Sequence, residues 1–231
     1  MLFSNILKDI NYISLYNYNK DIDVRHISTN SKLINKNSIF IVDLKKDIKK
    51  IYITEAIERG AKLIISKRII KNINIPQLIV TNLDYAMKQF LNKFKKYPPN
   101  NIVGITGTNG KTSVVSIISN IIFLCKYNVL SCGTLGFYKN LKKINDSILT
   151  TPEKEVLYQF AYSTLPYYPE FIFEASSHGI SKNRIKDLPI NIAALTNISH
   201  DHLDYHKTIT NYKKTKFQLF TKFLLKKGVV N

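Results

Sequence analysis

The stretch Ile102-Val103-Gly104-Ile105-Thr106-Gly107-Thr108-Asn109-Gly110-Lys111-Thr112-Ser113 constrains this chain more than any other segment. A β-branched apolar run passes through a glycine-containing turn into a helix pattern, with Val114, Ile117, Ile118, Ile121, Ile122 and Cys125 at the spacing of one helix face. A strand–turn–helix unit of this kind faces its backbone N–H groups inward and suits a phosphate. Gly107 and Gly110 permit the tight turn, Lys111 offers a point charge to outer phosphates, and the Thr112 hydroxyl suits Mg²⁺. Residues Gly107, Thr108, Asn109, Gly110, Lys111, Thr112 and Ser113 are therefore the candidate ATP-binding set. The spacing departs from Gly-x4-Gly-Lys-[Ser/Thr], because Ile105 stands where the first glycine belongs. A phosphate loop outside the commonest families is expected.

Around this loop, apolar strands alternate with helical segments, which sets the fold class as α/β. A small N-terminal α/β domain is expected over residues 1–98 and an incomplete P-loop-type ATP-binding domain, with a mainly parallel sheet, over 99–231. The boundary falls in Lys95-Lys96-Tyr97-Pro98-Pro99-Asn100-Asn101, where charge, prolines and asparagines cluster. Upstream, the pattern predicts strands over 38–42, 62–66 and 77–80 and helices over 53–59 and 83–94. Downstream it predicts strands over 128–132, 170–175 and 190–196, a helix over 210–226 and a strand opening at 228. An ending there leads to the expectation that a C-terminal portion is missing.

Composition narrows the partners. With 231 residues, 45% of them hydrophobic, the chain can build a substantial core. Thirty-four basic residues against sixteen acidic ones leave a net charge of +18, but the lysines are dispersed, so nucleic acid is not expected as the partner. Cys125 and Cys132 are too few for a disulfide framework and do not form a Cys-x-x-Cys pair, which favours a reducing, cytoplasmic setting. No signal-like or membrane-spanning stretch is read, so neither export nor membrane insertion is expected.

Four further clusters follow predicted strands of the second domain, at the edge where open α/β sheets bind ligands. Thr150-Thr151-Pro152-Glu153 can present two hydroxyls to a phosphate or sugar, or form a helix start with Thr151 as cap and Pro152 in the first position. Glu174-Ala175-Ser176-Ser177-His178-Gly179 puts a carboxylate at the end of an apolar strand; Mg²⁺ shared with phosphates would neutralise it, and a salt bridge is the plainer alternative. Arg184, one of few arginines, suits bidentate recognition of phosphate or carboxylate, or an ordinary surface position. Residues 197–206 hold three of the five histidines, with Asp201 and Asp204. They lack the His-Glu-x-x-His spacing of zinc sites, so Mg²⁺ or Mn²⁺ fits better.

Together, and in this order, the loop Gly107–Thr112, Thr150-Thr151-Pro152-Glu153, Glu174–Gly179 with Arg184, and Asn197–His206 resemble the Mur ligases, and within them the MurE-type synthetases that add the third amino acid of the peptidoglycan peptide. The resemblance implies an ATP-dependent ligation in which a substrate carboxylate is first phosphorylated to an acyl phosphate and an amine then displaces phosphate. It implies UDP-MurNAc-dipeptide, ATP and an amino acid as partners. Lys111, Glu174, His202 and Lys216 would be the catalytic residues, and Thr112, Glu174, His202 and Lys216 the magnesium ligands, Lys216 after CO₂ converts it to a carbamylated lysine. Ser31, Thr150, Thr151, Ser176 and Arg184 would bind the UDP-sugar peptide.

Departures accompany the match. Asn30-Ser31-Lys32 replaces the family's Asp-Ser-Arg, Asp43 to Lys50 replaces a glycine-containing turn, Leu149 replaces an asparagine, and Lys182 stands at an amide position. No counterpart of the family's C-terminal domain is read, so this chain is expected to bind nucleotide and to ligate only if a separate chain supplies that domain. The competing expectation is an inactive remnant that keeps nucleotide binding alone.

Overall fold

Two sets of short apolar runs, each alternating with helices, generate two sheets. In the computed structural model the described residues are 1–44, 50–95, 97–163 and 169–231, and the chain divides into the units Met1–Lys95 and Lys96–Asn231. Residues 45–49, which carry most of the replaced glycine turn, and Lys96 of the expected linker lie outside the described residues.

The first unit contains helix α1 (Phe3–Leu7), strands β1 (Ser14–Tyr16), β2 (His26–Ser28) and β3 (Ser38–Ile41), helix α2 (Lys50–Glu58), strands β4 (Ala61–Ser66) and β5 (Gln77–Ile79), and helix α3 (Leu83–Lys93). Its sheet runs β1-β5-β4-β3-β2, parallel except for β1 against β5. Every residue of β3 is buried, which is why its sequence is a continuous apolar run rather than an alternation. The Asn82 side chain caps α3 by accepting from the Tyr85 N–H, and Ala86, Met87, Phe90 and Leu91 form its buried stripe. Residues 31–33 form a short 3₁₀ turn, capped by the Asn30 side chain.

The second unit contains β6 (Asn101–Thr106), α4 (Lys111–Leu124), β7 (Val129–Gly133), β8 (Gly136–Lys139), β9 (Lys142–Asn145), α5 (Lys154–Ser163), β10 (Glu170–Glu174), α6 (Ser177–Ser181), β11 (Ile192–Leu195), α7 (Leu203–His206), α8 (Ile209–Thr221) and β12 (Lys227–Val230). The order is β12-β11-β6-β10-β7-β8-β9, with β12 through β7 parallel and the β7-β8-β9 edge antiparallel. After β6 the chain moves to one side of the sheet for β7 and β10, then crosses to the other for β11. The carboxyl end of β6 is therefore a topological switch point, the place where open α/β sheets leave a crevice. Register pairs Glu174 with Ile105 and Leu195 with Thr106, so β6, β10 and β11 end level and their loops share one rim.

Three expectations need correction. Ile117 and Ile121 are more than half exposed and Cys125 is exposed, whereas Val114, Val115, Ile118 and Ile122 pack on the core. Ser113, Ser116, Ser119 and Asn120 interleave with the apolar residues of α4, so apolar spacing alone does not fix which face turns inward. Thr151 does not cap α5, which starts at Lys154; its hydroxyl is committed to the next strand instead. Helix α8 stops at Thr221, well before 226. Among the described residues no helix is long and apolar enough to cross a membrane.

Candidate active site

The loop between β6 and α4 has a shape that only its glycines allow. Gly107 has φ +149°, and a Cβ there would lie 1.9 Å from the Thr196 Oγ1; Gly110 has φ +81° and starts α4 from the left-handed region. The loop is fastened to the end of β11: the Thr108 N–H donates to the Asn197 carbonyl at 2.9 Å, and the Asn109 N–H donates to the Asn197 Oδ1 at 3.0 Å. Thr108 is buried and its hydroxyl lies 3.1 Å from the Tyr212 hydroxyl on α8, while Ser113 is exposed.

Lys111 folds over its own loop, its Nζ donating to the Gly107 and Thr108 carbonyls at 2.8 Å each. Lys216, only 2% exposed, reaches the same Gly107 carbonyl from α8 at 2.7 Å, with its Nζ 4.5 Å from the centre of the Tyr212 ring. Two ammonium groups thus converge on one oxygen. Burial, and then the Lys111 charge, draw Lys216 down to about 7, against the opposing pull of Asp201. Lys111 is drawn down by burial too, with Glu174 and Asp201 opposing.

On the other side of the loop stands Glu174, 1% exposed at the end of β10. Its Oε1 accepts from the Thr112 hydroxyl at 3.0 Å and from the Thr134 N–H at 2.8 Å; its Oε2 accepts from the Thr134 hydroxyl at 3.2 Å. Among the described residues no side-chain cation pairs with this buried carboxylate. It is held by neutral donors alone, a situation a bound divalent cation would complete. A cavity of about 210 Å³ opens beside it, lined in part by Thr112, Ser116, Gly133, Tyr138 and Glu174. A larger one, about 790 Å³, lies at the opposite end of β11 against Asn191, Ile185 and Phe223 and includes none of the candidate residues.

The Thr-Thr-Pro-Glu and Ser-Ser-His-Gly segments lock together. The Thr151 hydroxyl donates to the Glu174 carbonyl at 2.7 Å, accepts from the Ser176 N–H at 2.8 Å and lies 2.9 Å from the Ser176 Oγ. Arg184 is buried; it donates to the Thr151 carbonyl at 3.1 Å and pairs with Glu153 at 3.1 Å. Gly179 is required here, since a Cβ would come within 2.5 Å of the Thr151 Cβ. The Ser177 Oγ is buried without a hydrogen-bond partner among the described residues.

The histidines form a ring cluster rather than a ready metal site. His178 stacks edge-on to His202 at 4.8 Å and lies 5.8 Å from His206, which in turn is 5.3 Å from Tyr212. Burial lowers His178 and His206; the charge of His202 adds to it at His178, and those of His178 and His202 add to it at His206. Among the described residues no three His, Cys, Asp or Glu side chains gather as a metal site, and His202 makes no hydrogen bond to Glu174, Thr112 or Lys216. A cation at this rim would draw on hydroxyl and phosphate oxygens as well. Ser31 belongs to the first unit, where its hydroxyl donates to Glu55 at 2.7 Å. Thr134, Gly133 and Tyr212 were not singled out by sequence: the first two lie in a turn without a motif, and Tyr212 is one of fourteen tyrosines.

The profile of the Mur ligase middle domain matches residues 105–231. The chain belongs to the Mur ligase family. It is 36% identical over 214 residues to the UDP-N-acetylmuramoyl-L-alanyl-D-glutamate–2,6-diaminopimelate ligase of Rickettsia bellii, covering 90% of this chain and 44% of that one. The protein of the same name from Wigglesworthia glossinidia brevipalpis is 35% identical over 225 residues, covering 91% and 45%. The chain thus spans less than half the length of these Mur ligases. A solved structure of such a diaminopimelate ligase superposes with a TM-score of 0.66 at 26% identity, covering 96% of this chain and 47% of that one. Thermotoga maritima MurF ligase, solved with ADP, shares the fold at a TM-score of 0.61 and 21% identity, covering 87% and 44%.

Proposed function

We propose that this chain carries the nucleotide and UDP-sugar-peptide portions of an ATP-dependent carboxylate–amine ligase. It would add 2,6-diaminopimelate, the amino acid named for its relatives, to UDP-N-acetylmuramoyl-L-alanyl-D-glutamate in the cytosol. The observation that carries the proposal is the single rim on which the loop 107–112, the buried Glu174, without a side-chain cation among the described residues, and the buried Lys216 meet.

The residues divide the work by charge. Loop N–H groups and Lys111 would receive the phosphates, with the Lys111 ammonium released from the Gly107 and Thr108 carbonyls to stabilise the transferred phosphoryl group. Thr112, Glu174 and His202 would hold Mg²⁺, which supplies Lewis-acid stabilisation of phosphate charge when bound. Lys216 has the chemistry that carbamylation requires: burial favours its neutral amine, whose lone pair can bond to CO₂, and the carbamate would return a negative charge to the loop. Thr150, Thr151, Ser176 and Arg184 would orient the sugar peptide, and Ser31 the uridine end.

Binding of ADP to the 231-residue chain, with and without MgCl₂, tests the nucleotide site. Wild type is expected to bind in a Mg²⁺-dependent manner, and Lys111→Ala to lose that binding. Phosphate release with UDP-N-acetylmuramoyl-L-alanyl-D-glutamate and 2,6-diaminopimelate tests ligation. No ADP binding by wild type would sink the proposal.

A further inference from the structure

Glu174 is held from two elements, by the Thr112 hydroxyl at the start of α4 and by Thr134. The turn between β7 and β8, residues 133–136, presents the Thr134 N–H to Oε1 at 2.8 Å and the Thr134 hydroxyl to Oε2 at 3.2 Å, so one residue grips both carboxylate oxygens. Gly133 makes the approach possible, since a Cβ there would stand 2.1 Å from the Glu174 Oε1. The Thr134 hydroxyl also lies 3.2 Å from the Thr150 hydroxyl. No sequence motif marks this turn.

An ionised carboxylate accepts about four hydrogen bonds, two per oxygen. Both positions of Oε1 are taken, by the Thr112 hydroxyl and the Thr134 N–H, whereas Oε2 accepts one bond and, among the described residues, keeps one position open. A hydroxyl carries a single hydrogen but also accepts, so Thr134 can donate to Oε2 while its oxygen accepts from the Thr150 hydroxyl. Without that hydroxyl, Oε2 would lose its donor and the carboxylate could swing about its terminal torsion, which has only a broad preference.

We propose that Thr134 is a positioning residue of the candidate active site: it fixes the rotation of the Glu174 carboxylate, leaves Oε2 as the oxygen open to a divalent cation, and links that carboxylate to Thr150. The inference rests on the nucleotide-and-cation role proposed above for this rim. Thr134 is exposed, so its replacement does not cut into the core.

The test uses the 231-residue chain as wild type, Thr134→Ser and Thr134→Val, each titrated with ADP in the presence and absence of MgCl₂ and each crystallised without nucleotide. Wild type and Thr134→Ser are expected to show the same Mg²⁺-dependent gain in ADP affinity. Thr134→Val loses about tenfold of that gain, with Mg²⁺-free affinity unchanged and the Glu174 carboxylate turned from its wild-type orientation. An unchanged gain in Thr134→Val, or an unmoved carboxylate, overturns the proposal. If wild type itself binds no ADP, the nucleotide role fails and the crystals alone decide: a carboxylate displaced in Thr134→Val but not in Thr134→Ser sustains the positioning role, and one orientation in all three ends it.

Discussion

The two flanks of the phosphate loop solve opposite electrostatic problems with the same burial. On the β10 side an acid, Glu174, is surrounded by hydroxyl and N–H donors of Thr112 and Thr134. On the α8 side a base, Lys216, has a carbonyl and an aromatic face, with a second ammonium, Lys111, on the same carbonyl. Desolvation and the like charge of Lys111 favour the uncharged amine of Lys216. The contrast teaches that the rim sets a buried carboxylate held by neutral donors opposite an amine that burial draws toward neutrality. Modifying the amine to an anion would turn both flanks into cation ligands.

The largest expected effect breaks this contrast outright. Lys216→Ala removes the amine through which the α8 flank could become anionic, and ligation assayed with a second polypeptide that supplies the C-terminal domain should fall below detection while the fold persists. Added short-chain carboxylic acids, small enough to enter the vacated space, should restore part of the turnover measured as phosphate release. Turnover equal to wild type would refute a role for Lys216.

A second expectation sharpens the comparison through pH. Lys216 titrates near 7 in the folded chain instead of its ordinary 10.5, so between those values the unfolded chain carries a proton that the native chain lacks. Stability should therefore rise with pH across that window, by up to about 1.4 kcal/mol per pH unit, and level off below it. Lys111 acts in the same sense, so the informative quantity is the difference between wild type and Lys216→Met in denaturant titrations from pH 7 to pH 9. Parallel pH profiles for the two proteins would show that Lys216 is charged in the native state.

Legibility followed the same division. The Gly107–Thr112 loop and its strand and helix could be read because glycine turns, an apolar run and a Lys-Thr ending coincide within one short segment. Glu174 was readable as a strand-end acid, but its neutral surroundings were not, because Thr134 comes from a separate turn forty residues earlier in the chain. The β8–β9 hairpin escaped for a different reason: Asn140 and Leu141 both adopt positive φ, and leucine in that position hides the usual Asn-Gly signal. Arg184 was open to a surface role, yet it is buried against Thr151 and Glu153, a fact set by tertiary packing rather than local pattern. Lys216 could not be told from Lys213 and Lys214 by its neighbours and was named by the family resemblance alone; the structure sets it apart as the buried lysine among exposed ones.

The smallest effect tests what keeps the α8 flank as it is. Tyr212 is fully buried and touches this flank twice, by its ring face against the Lys216 ammonium and by its hydroxyl against the Thr108 hydroxyl. Tyr212→Phe deletes only the second contact. Thr108 keeps its bonds to the Ser199 N–H and carbonyl, so no buried group is left without a partner, and the loss should be about 1 kcal/mol. The denaturant midpoint should shift with an unchanged m-value, and the pH dependence assigned to Lys216 should survive, because the desolvating ring remains. If Tyr212→Phe instead erases that pH dependence, the phenol hydroxyl rather than burial beneath the ring governs the lysine, and the two flanks differ less than their geometry says.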